Sequence, residues 1–391
     1  MISVEDAFRR ISEVTHQLDV IEIELKNAVG FVMAEDYVST VSFPPFDQSA
    51  MDGYAINNSE GQLEFMVLYE LKAGDSASAI TLKKGEACRI FTGAMLPNDT
   101  KAVVKQEDVT RNENSICVTR SILPEENIRL CGEQINDGDI AVRKNTVLNP
   151  GAIGFLSTLG VKTIKAFRKP NIAIIATGNE LMMAGSKLQP GKIYESNTTT
   201  LVSALSVYGF QATASVVEDS YDLIREKINE AINTHDVVLI TGGISVGDYD
   251  FVGKILSDLN VDEQFYNVKQ KPGKPLFFGV KNETIIFALP GNPAAVLTSF
   301  YMYVLHALAS LTGRKSSYLT HKKVKLTTDF EKSPNLTYLL KGKINKDHVT
   351  ILPAQSSAML SSFIEADCLI RLDENKAHWD KNELVDVYTI Q

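Results

Sequence analysis

The chain has 391 residues, of which 48 are acidic and 39 are basic, so its formal net charge is −9. A length above the ~100 to 200 residues of a usual domain predicts several domains. The negative charge provides no broad attraction for nucleic acid or for an anionic membrane, and we expect neither as a partner. Any anionic ligand therefore requires a local site.

The N-terminal and cysteine patterns indicate the compartment. "MISVEDAFRRISEVTHQLDV" lacks the basic start, the long apolar run and the cleavage site of a secretory signal. We find no stretch that reaches the ~18 apolar residues of a membrane helix. The four cysteines form no CxxC pair and the six histidines form no HExxH motif, which argues against disulfides and zinc. We expect a soluble, cytoplasmic protein.

The first 169 residues begin with helical patterns and continue with strands. Ser3 can cap a first helix, and "NAVGFVMAEDYVS" predicts a second helical piece. After the prolines of "SFPPFDQSAMDGYAI", runs such as "EFMVLYEL" and "SICVTR" alternate with turn residues, and "PGAIGFLSTLG" then returns to a helical pattern. We predict a discontinuous helical domain, residues 1–46 and 141–169, with a small β domain, residues 47–140, inserted into it.

Residues 170–315 alternate strands such as "NIAIIAT" and "DVVLIT" with amphipathic helices. This rhythm predicts a doubly wound, mostly parallel α/β domain. Asn292 would cap its last helix and Pro293 would begin it. Residues 316–391 return to short strands and predict a separate, barrel-like β domain at the C-terminus.

One glycine turn lies where a parallel sheet binds ligands, outside the carboxyl end of a strand. In "LITGGISVGDYDF", residues 239 to 251, Gly242 and Gly243 follow the strand "DVVLIT". Glycines let backbone N–H groups approach an anion, and the next helix N-terminus adds partial positive charge. Neither GxGxxG nor GxxxxGK[ST] is present, which disfavours a Rossmann site and a P-loop. A ligand loop is favoured over a structural turn.

Aspartates near these strand ends are candidate magnesium ligands. Asp248 suits a cap of the next helix, whereas Asp250 is assigned to the site. Asp219 follows the strand "QATASVVE" and either joins Asp250 at a metal or caps its own helix.

Two further turns open on the same edge of the sheet. "ATGNEL" carries Thr177, Gly178 and Glu180, and "YESN" supplies Ser196 and Asn197. Helix capping also explains the last two residues. Polar turns that converge at several strand ends favour a pocket for a polar, phosphate-bearing ligand.

A lysine-rich turn in "KQKPGKPLFFG" is the candidate oxyanion site. Lys271 and Lys274 flank a Pro-Gly turn, and Pro275 stiffens its exit. A solvated hairpin is the alternative, because lysine is usually exposed. In the β domain, "SAMDGYA" contributes Asp52 and "FTGAMLP" contributes Thr92, and each motif alone is typical of a turn.

The motifs "SAMDGYA", "FTGAMLP", "NIRLCGE", "TGNEL", "YESN", "TGGISVGDYDF", "KPGKP" and "LPGNP" occur in this order. Together they closely resemble the molybdopterin molybdenumtransferase (MoeA) family, which is equivalent to the E domain of gephyrin. The resemblance spans nearly the whole chain. The molybdopterin adenylyltransferase family shares the "GGISVGDYD" feature, but its members have one domain, so the flanking modules favour the transferase.

The resemblance implies a homodimer of four-part subunits that acts on small-molecule substrates. Its reaction takes adenylylated molybdopterin and molybdate, depends on Mg²⁺, releases AMP and leaves molybdenum on the dithiolene. A molybdopterin adenylyltransferase is the expected donor. The site is expected in a cleft where the α/β domain of one subunit faces the β domain of the other.

The resemblance also implies residue roles. Asp219 and Asp250 would serve the metal, and Asp52 and Thr92 would reach across the cleft. The acidic catalytic candidates are Asp52, Glu180, Asp219 and Asp250. The substrate-binding candidates are Thr92, Gly178, Ser196, Asn197, Gly242, Gly243, Ser245, Lys271, Lys274, Pro275 and Ser357, of which Lys271, Lys274 and Ser357 would favour molybdate.

The chain departs from the family pattern at several positions. Gln134 stands where relatives often carry an acidic residue, and Ala294 and Ala295 follow "LPGNP" where many carry a serine. An arginine expected near "LTYLLKGKI" is absent, with Lys341 nearby, and a lysine cannot reproduce a bidentate guanidinium contact. Two other functions stay open: a molybdopterin-binding scaffold or carrier, and a molybdopterin adenylyltransferase. The choice between molybdate and tungstate is open as well.

Overall fold

The computed structural model describes residues 1–59, 61–244 and 251–390. The chain forms two compact units. The larger unit contains Met1–Ile21, Gly30–Ala34 and Lys165–Gln391, and the smaller unit contains Glu22–Val29 and Glu35–Ile164. The four-part division of the chain stays a prediction.

The helices of the described residues are, in chain order, α1 (Val4–Val14), α2 (Pro150–Thr158), α3 (Asn197–Val207), α4 (Tyr221–Thr234), α5 (Phe251–Asp258), α6 (Pro293–Ser299) and α7 (Leu305–Leu311). A π-helical turn, Phe300–Val304, joins α6 to α7.

The strands of the described residues are β1 (Val20–Glu24), β2 (Val32–Met33), β3 (Tyr37–Val38), β4 (Gln48–Ser49), β5 (Gly53–Ile56), β6 (Glu64–Leu71), β7 (Glu86–Ile90), β8 (Ala102–Lys105), β9 (Val109–Asn112), β10 (Ser115–Val118), β11 (Ile128–Arg129), β12 (Ile140–Val142), β13 (Thr163–Phe167), β14 (Ile172–Thr177), β15 (Leu181–Met182), β16 (Ile193–Tyr194), β17 (Ala212–Val217), β18 (Val237–Thr241), β19 (Asp262–Tyr266), β20 (Gln270–Lys271), β21 (Phe277–Lys281), β22 (Thr284–Leu289), β23 (His321–Leu326), β24 (Phe330–Glu331), β25 (Thr337–Asn345), β26 (His348–Ile351), β27 (Cys368–Leu372), β28 (His378–Trp379) and β29 (Leu384–Thr389).

The larger unit is built on a six-stranded sheet in the order β17-β14-β18-β22-β21-β19. The first four strands are parallel, and β21 and β19 join in antiparallel pairs. Successive residues of β14 point to opposite faces, so Ile172 and Ile174 enter one apolar core while Ala173 and Ile175 enter the other. The predicted mostly parallel α/β architecture is confirmed.

Helix α1 belongs to one of these two cores. The Ser3 hydroxyl accepts a hydrogen bond from the backbone N–H of Asp6, so the predicted cap is confirmed. Val4, Ala7 and Ile11 are fully buried in the cluster that also holds strand residues of the sheet. The helix is therefore part of the packing of the α/β sheet.

The predicted second helical piece, "NAVGFVMAEDYVS", is wrong. The segment holds strands β2 and β3 instead of a helix. Gly30 has φ +78°, which a continuing right-handed helix does not allow. Val32 and Met33 then pair with Phe167 and Ala166 of β13. The apolar residues that suggested a helical face are used in strand pairing.

The C-terminal strands close into a barrel within the larger unit. Strand β25 pairs with β26, then come β23, β29 and β27, and β27 pairs back to β25. This closed five-stranded barrel confirms the predicted C-terminal β fold. Strand β20 adds to β25 in parallel, with Gln270 beside Thr337 and Lys271 beside Tyr338. The lysine-rich turn is therefore attached to the barrel.

The smaller unit contains a six-stranded sheet in the order β8-β5-β7-β6-β10-β9. Two apolar clusters lie on its faces, one around Ala55 and Val103 and the other around Tyr54 and Val104. Helix α2 begins at Pro150 and is capped by Asn149, whose side chain accepts from the N–H of Ala152. The predicted strands and the predicted helix "PGAIGFLSTLG" are confirmed.

In the part of the chain that the structure describes, one helix has the length and composition of a membrane span. It is the continuous helix Pro293–Leu311, of 19 residues and mean hydropathy 1.5, which the sequence analysis did not single out. However, 83% of its most apolar window is buried inside the protein. Its apolar character is therefore explained by packing in the core of the larger unit.

An ion pair fixes the entry of the chain into the central sheet. The Arg168 guanidinium donates to both carboxylate oxygens of Asp236, at 2.6 and 2.7 Å, and the N–H of Asn171 donates to the same group at 2.7 Å. Burial acts to raise the pKa of Asp236, but these hydrogen bonds outweigh it and leave the pKa below its ordinary value. Folding is therefore coupled to the ionised form of Asp236.

We expect Asp236→Asn to destabilise the folded protein by about 1.5 to 3 kcal/mol at neutral pH, because it removes a charge-assisted pair. A lowered folded pKa means that this stabilisation is present above the unfolded pKa and is lost as pH falls through the folded pKa. Thermal unfolding from pH 7 down to pH 3 should therefore show a difference between the variant and the wild type that is constant above about pH 4 and narrows below it. Glu226→Gln, which changes an exposed carboxylate of α4, is the control. A constant difference across this range would contradict the coupling.

Candidate functional site

A pocket in the larger unit has a volume of about 780 Å³. Loops at the carboxyl ends of β14, β17, β18 and β22 form one side, and loops of the barrel form the other. A volume of this size suits an organic ligand with several polar groups. Its lining consists of Thr177, Gly178, Glu180, Asp219, Gly242, Gly243, Ile244, Gln270, Lys271, Pro272, Gly273, Lys274, Pro275, Pro290, Gly291, Asn292, Ala295, Leu336, Gln355, Ser356 and Ser357.

The glycine turn after β18 packs against the end of β14. Gly242 has φ +90°, and a Cβ atom there would lie 2.6 Å from the carbonyl oxygen of Thr177. Only glycine fits this approach without displacing the backbone. The Thr177 hydroxyl is buried and has no hydrogen-bond partner among the described residues. Because a buried hydroxyl without a partner costs free energy, this group is available to a polar ligand atom in the pocket.

Two carboxylates lie beside this turn. The Glu180 carboxylate folds over Gly178, where a Cβ atom would lie 2.7 Å from one of its oxygens. Asp219 does not cap α4: its Oδ2 accepts from the N–H of Asn179 at 3.2 Å, and its own N–H donates to Asn179 Oδ1 at 3.0 Å. This reciprocal pair fixes the loop after β17 to the loop after β14.

The lysine-rich turn is held from behind by a buried glutamine. Gln270 is 1% exposed, and its Nε2 donates to the carbonyl oxygen of Gly273 at 2.9 Å. The buried Tyr303 hydroxyl donates to Gln270 Oε1. Lys271 and Lys274 are exposed at the pocket. The turn is therefore preorganised with two cationic side chains at its surface.

The start of α6 is fastened to a loop of the barrel. Asn292 Nδ2 donates to Ser357 Oγ at 3.0 Å, and the backbone N–H groups of Ala294 and Ala295 both donate to the Ser357 carbonyl oxygen. Asn292 is the N-cap residue, but its side chain makes no capping bond. The predicted cap is therefore replaced by a contact between two loops of the pocket.

Most of the predicted site residues meet in this pocket. The shared pocket contains Gly178, Glu180, Asp219, Gly242, Gly243, Lys271, Lys274, Pro275 and Ser357. Asn197 does not line it, but its Nδ2 donates to the carbonyl oxygen of Gly291, which does. Ser196 precedes α3 without a side-chain cap bond, and Glu195 caps the helix instead. Ser245, Asp248 and Asp250 lie outside the described residues.

Asp52 and Thr92 belong to the smaller unit and bind each other. The N–H and the hydroxyl of Thr92 both donate to Asp52 Oδ1 at 2.8 Å. These hydrogen bonds, the backbone one first, lower the pKa of Asp52 below its ordinary value. The carboxylate is therefore kept ionised and oriented. Gln134, in the same unit, donates its backbone N–H to Phe43.

The carboxylates of the pocket suit a hard cation. Within residues 1–59, 61–244 and 251–390, no group of three or more His, Cys, Asp or Glu side chains forms a metal cluster. Glu180 and Asp219 nevertheless place two carboxylates at one pocket. Mg²⁺ is commonly held by one or two carboxylates together with water and substrate phosphate oxygens. The residues present therefore fit Mg²⁺ bound jointly with a phosphate ligand.

Several lining residues were absent from the predicted set. Gln270 lies within "KQKPGKPLFFG" between two lysines, and Asn292 lies in "LPGNP", where it is predicted only as a helix cap. A glutamine beside an exposed turn and a predicted cap give no signal of a pocket. Gln355 and Ser356 come from the barrel and carry no local motif. Their place in the pocket depends on tertiary packing.

Three family descriptions match successive parts of the chain. "MoeA N-terminal region (domain I and II)" matches residues 2–160, "Probable molybdopterin binding domain" matches residues 173–310, and "MoeA C-terminal region (domain IV)" matches residues 323–390. Together they account for most of the sequence.

Relatives and solved structures match over the full length. Molybdopterin molybdenumtransferase of Staphylococcus epidermidis is 34% identical, with 99% of this chain and 95% of the relative covered. The protein of the same name from Staphylococcus aureus is 31% identical, with the same coverage. A crystal structure of a molybdopterin biosynthesis MoeA protein from Pyrococcus horikoshii has a TM-score of 0.85 and 30% identity, covering 100% of this chain and 99% of that chain.

The close approach of Gly242 to Thr177 predicts that alanine destabilises the protein more at Gly242 than at another glycine with the same φ. Gly242 and Gly185 both have φ +90°, but no atom lies within 4 Å of a Cβ built on Gly185. In both variants the alanine must adopt a left-handed backbone conformation, which destabilises the folded protein. We expect Gly242→Ala to be less stable than Gly185→Ala by about 1 to 3 kcal/mol, because only the former overpacks the backbone of β14. Urea unfolding measures both, and equal losses would contradict the proposed contact.

Proposed function

Because this chain belongs to the molybdopterin molybdenumtransferase (MoeA) family, which acts in molybdenum cofactor biosynthesis, we propose that it inserts molybdate into adenylylated molybdopterin and releases AMP. One observation carries the proposal. A single pocket brings together a glycine turn, two carboxylates and two lysines. These groups suit a ligand that contains both a phosphoanhydride and an oxyanion.

Cleavage of a phosphoanhydride requires that negative charge on the phosphate oxygens be neutralised and spread. The buried hydroxyl of Thr177, which has no partner among the described residues, is available at one end of the pocket beside the turn of Gly242 and Gly243. Ser245 would extend this end. The reaction needs no serine or cysteine nucleophile. The protein acts by holding the phosphates and the oxyanion in place.

Lys271 and Lys274, with Ser357, form the proposed molybdate end. Lys271 Nζ lies 5.3 Å from the centre of the Tyr338 ring, in a cation–π contact that helps to position it. The Gln270 side chain fixes the turn between the two lysines. Two cations on a preorganised turn bind a tetrahedral dianion without paying for ordering of the loop.

Glu180 and Asp219, with Asp250, would hold Mg²⁺. When bound, the cation neutralises charge on the phosphate oxygens of the substrate. Asp219 keeps its orientation through the reciprocal pair with Asn179.

The remaining parts of the proposal concern assembly. We propose a cytoplasmic homodimer in which Asp52 and Thr92 of one subunit complete the pocket of the other. The Asp52 carboxylate, fixed by two hydrogen bonds from Thr92, would orient a donor group of the pterin. A molybdopterin adenylyltransferase would supply the substrate.

The proposed molybdate end predicts the effect of two lysine substitutions. The wild type should release AMP from adenylylated molybdopterin in a molybdate-dependent manner. Lys271→Met and Lys274→Met should each raise the KM for molybdate at least about tenfold, which corresponds to about 1.4 kcal/mol, because a charge-assisted contact is lost. Lys269→Met, two residues before the turn and outside the pocket lining, is the control.

Mass spectrometry of the products separates the alternatives. Binding of the pterin without AMP release would support a scaffold or carrier. Consumption of ATP with release of pyrophosphate would support an adenylyltransferase. Either result would overturn the proposed insertion reaction.

The proposed metal site predicts a change in the requirement for Mg²⁺. Asp219→Asn keeps an oxygen that accepts from Asn179 but removes the negative charge. We expect the Mg²⁺ concentration for half-maximal AMP release to rise about tenfold or more, because one carboxylate ligand is lost. Asp222→Asn, an exposed aspartate in the first turn of α4, is the matched control. An unchanged Mg²⁺ dependence in Asp219→Asn would remove this residue from the metal site.

A further inference from the structure

Lys341 is a buried lysine with all of its donors directed at one loop. It lies in β25 and is 2% exposed. Its Nζ donates to the carbonyl oxygens of Ala354 at 2.8 Å, Met359 at 3.1 Å and Ser356 at 3.4 Å. An ammonium group has three donors, so this arrangement uses all of them.

The loop 352–360, which we call the serine loop, is bound to Lys341 through the main chain as well. Lys341 N–H donates to Gln355 Oε1 at 2.9 Å, and Gln355 Nε2 donates back to the Lys341 carbonyl oxygen at 2.8 Å. Ala354 has φ +59°, an unusual conformation for alanine that needs support from its surroundings. The backbone and the side chain of one residue therefore fix the start of the loop.

The part of the loop held in this way forms a wall of the pocket. Gln355, Ser356 and Ser357 line the pocket. The other side of the loop is bound at Ser357, which accepts from Asn292 and from the N–H groups of Ala294 and Ala295. The serine loop is thus held between Lys341 on the barrel side and the start of α6 on the sheet side.

We propose that Lys341 is a positioning residue that holds Ser356 and Ser357 at the molybdate end of the pocket and does not itself bind the anion. This inference rests on the proposed function of the pocket. The family resemblance predicts an arginine near this position, which would offer donors to an oxyanion. The lysine has none left to offer, because its three donors are bound to carbonyl oxygens of the loop.

Loss of the hydrogen bonds between the Lys341 ammonium and the serine loop would be unfavourable. Burial lowers the pKa of Lys341, which shows that desolvation of the ammonium is unfavourable. The carbonyl oxygens compensate because each presents a partial negative charge to the cation. Without the ammonium, the Ser356 carbonyl oxygen would keep only the backbone N–H of Met359, and the carbonyl oxygens of Ala354 and Met359 would share the single proton of the Ser362 hydroxyl. The serine loop should therefore be held less firmly.

Lys341→Met tests the proposal, because methionine keeps most of the volume and removes the three donors. Two measurements are made on the full chain: hydrogen exchange at peptides covering residues 352–363, and the steady-state kinetics of molybdate-dependent AMP release. We expect exchange to accelerate at least about tenfold. We expect the KM for molybdate to rise about 10- to 100-fold with a smaller change in kcat, because the serines are misplaced while the lysine turn is intact. Lys343→Met, at an exposed position of the same strand, is the control and should change neither.

Each outcome decides between specific alternatives. A raised KM with unchanged hydrogen exchange would mean that Lys341 contacts the anion directly, and would overturn the positioning role. Unchanged values in both measurements would overturn it as well. If the wild type itself shows no molybdate-dependent AMP release, the proposed function fails, whereas the exchange data still decide whether Lys341 orders the loop.

A second variant covers the case in which Lys341→Met does not fold. Lys341→Arg keeps the charge, but a planar guanidinium cannot converge three donors from one nitrogen onto three carbonyl oxygens. We expect a raised KM for molybdate in Lys341→Arg. A KM for molybdate equal to or below that of the wild type would show that the side chain at position 341 binds the anion directly, and would contradict the proposal.

Discussion

The central strands β14, β18 and β22 are buried on both faces, and this constraint determines where the protein can carry out chemistry. Every residue of these strands is buried, and alternate residues of β14 enter two separate apolar cores. No polar ligand can be accommodated along such strands, so polar groups are confined to the loops at their ends. Helices pack on both faces, which leaves the ends of the strands open. The pocket lies at the carboxyl edge, where parallel sheets ordinarily bind their ligands.

At this edge, close packing of the backbone determines the shape of the pocket wall. The approach of Thr177 to the turn of Gly242 and Gly243 leaves no space for side chains at these two positions. The reciprocal bonds between Asn179 and Asp219 join two neighbouring strand ends. The result is a surface that presents the Thr177 hydroxyl beside the carboxylates of Glu180 and Asp219. A ligand that bridges the two, such as a phosphate with its cation, satisfies both sets of groups.

The sequence predicted those parts of the fold and the site that depend on local chemistry. Strands such as "DVVLIT" and the cap at Ser3 are specified by residues close together in the chain, and these predictions are confirmed. The role of the glycine turn in ligand binding stays a prediction. "NAVGFVMAEDYVS" was assigned to a helix because its apolar spacing fits a helix, yet Val32 and Met33 pair with a strand that lies more than 130 positions away. Asn292 was expected to cap α6, but its amide binds Ser357 of the barrel. Contacts of this kind depend on tertiary structure, and no local pattern encodes them.

Strand β25 explains why the barrel belongs to the pocket. Its first residues, Thr337 and Tyr338, pair with β20 and so hold the strand that leads into the lysine turn. Four residues further along, Lys341 holds the serine loop. One strand therefore fixes both groups proposed to meet the oxyanion, and the hydrogen bonds of the closed barrel fix that strand on both sides. A shift of β25 by one residue would turn its side chains to the opposite face and would separate Lys341 from the loop. The closed barrel prevents such a shift, because every strand in it has two partners.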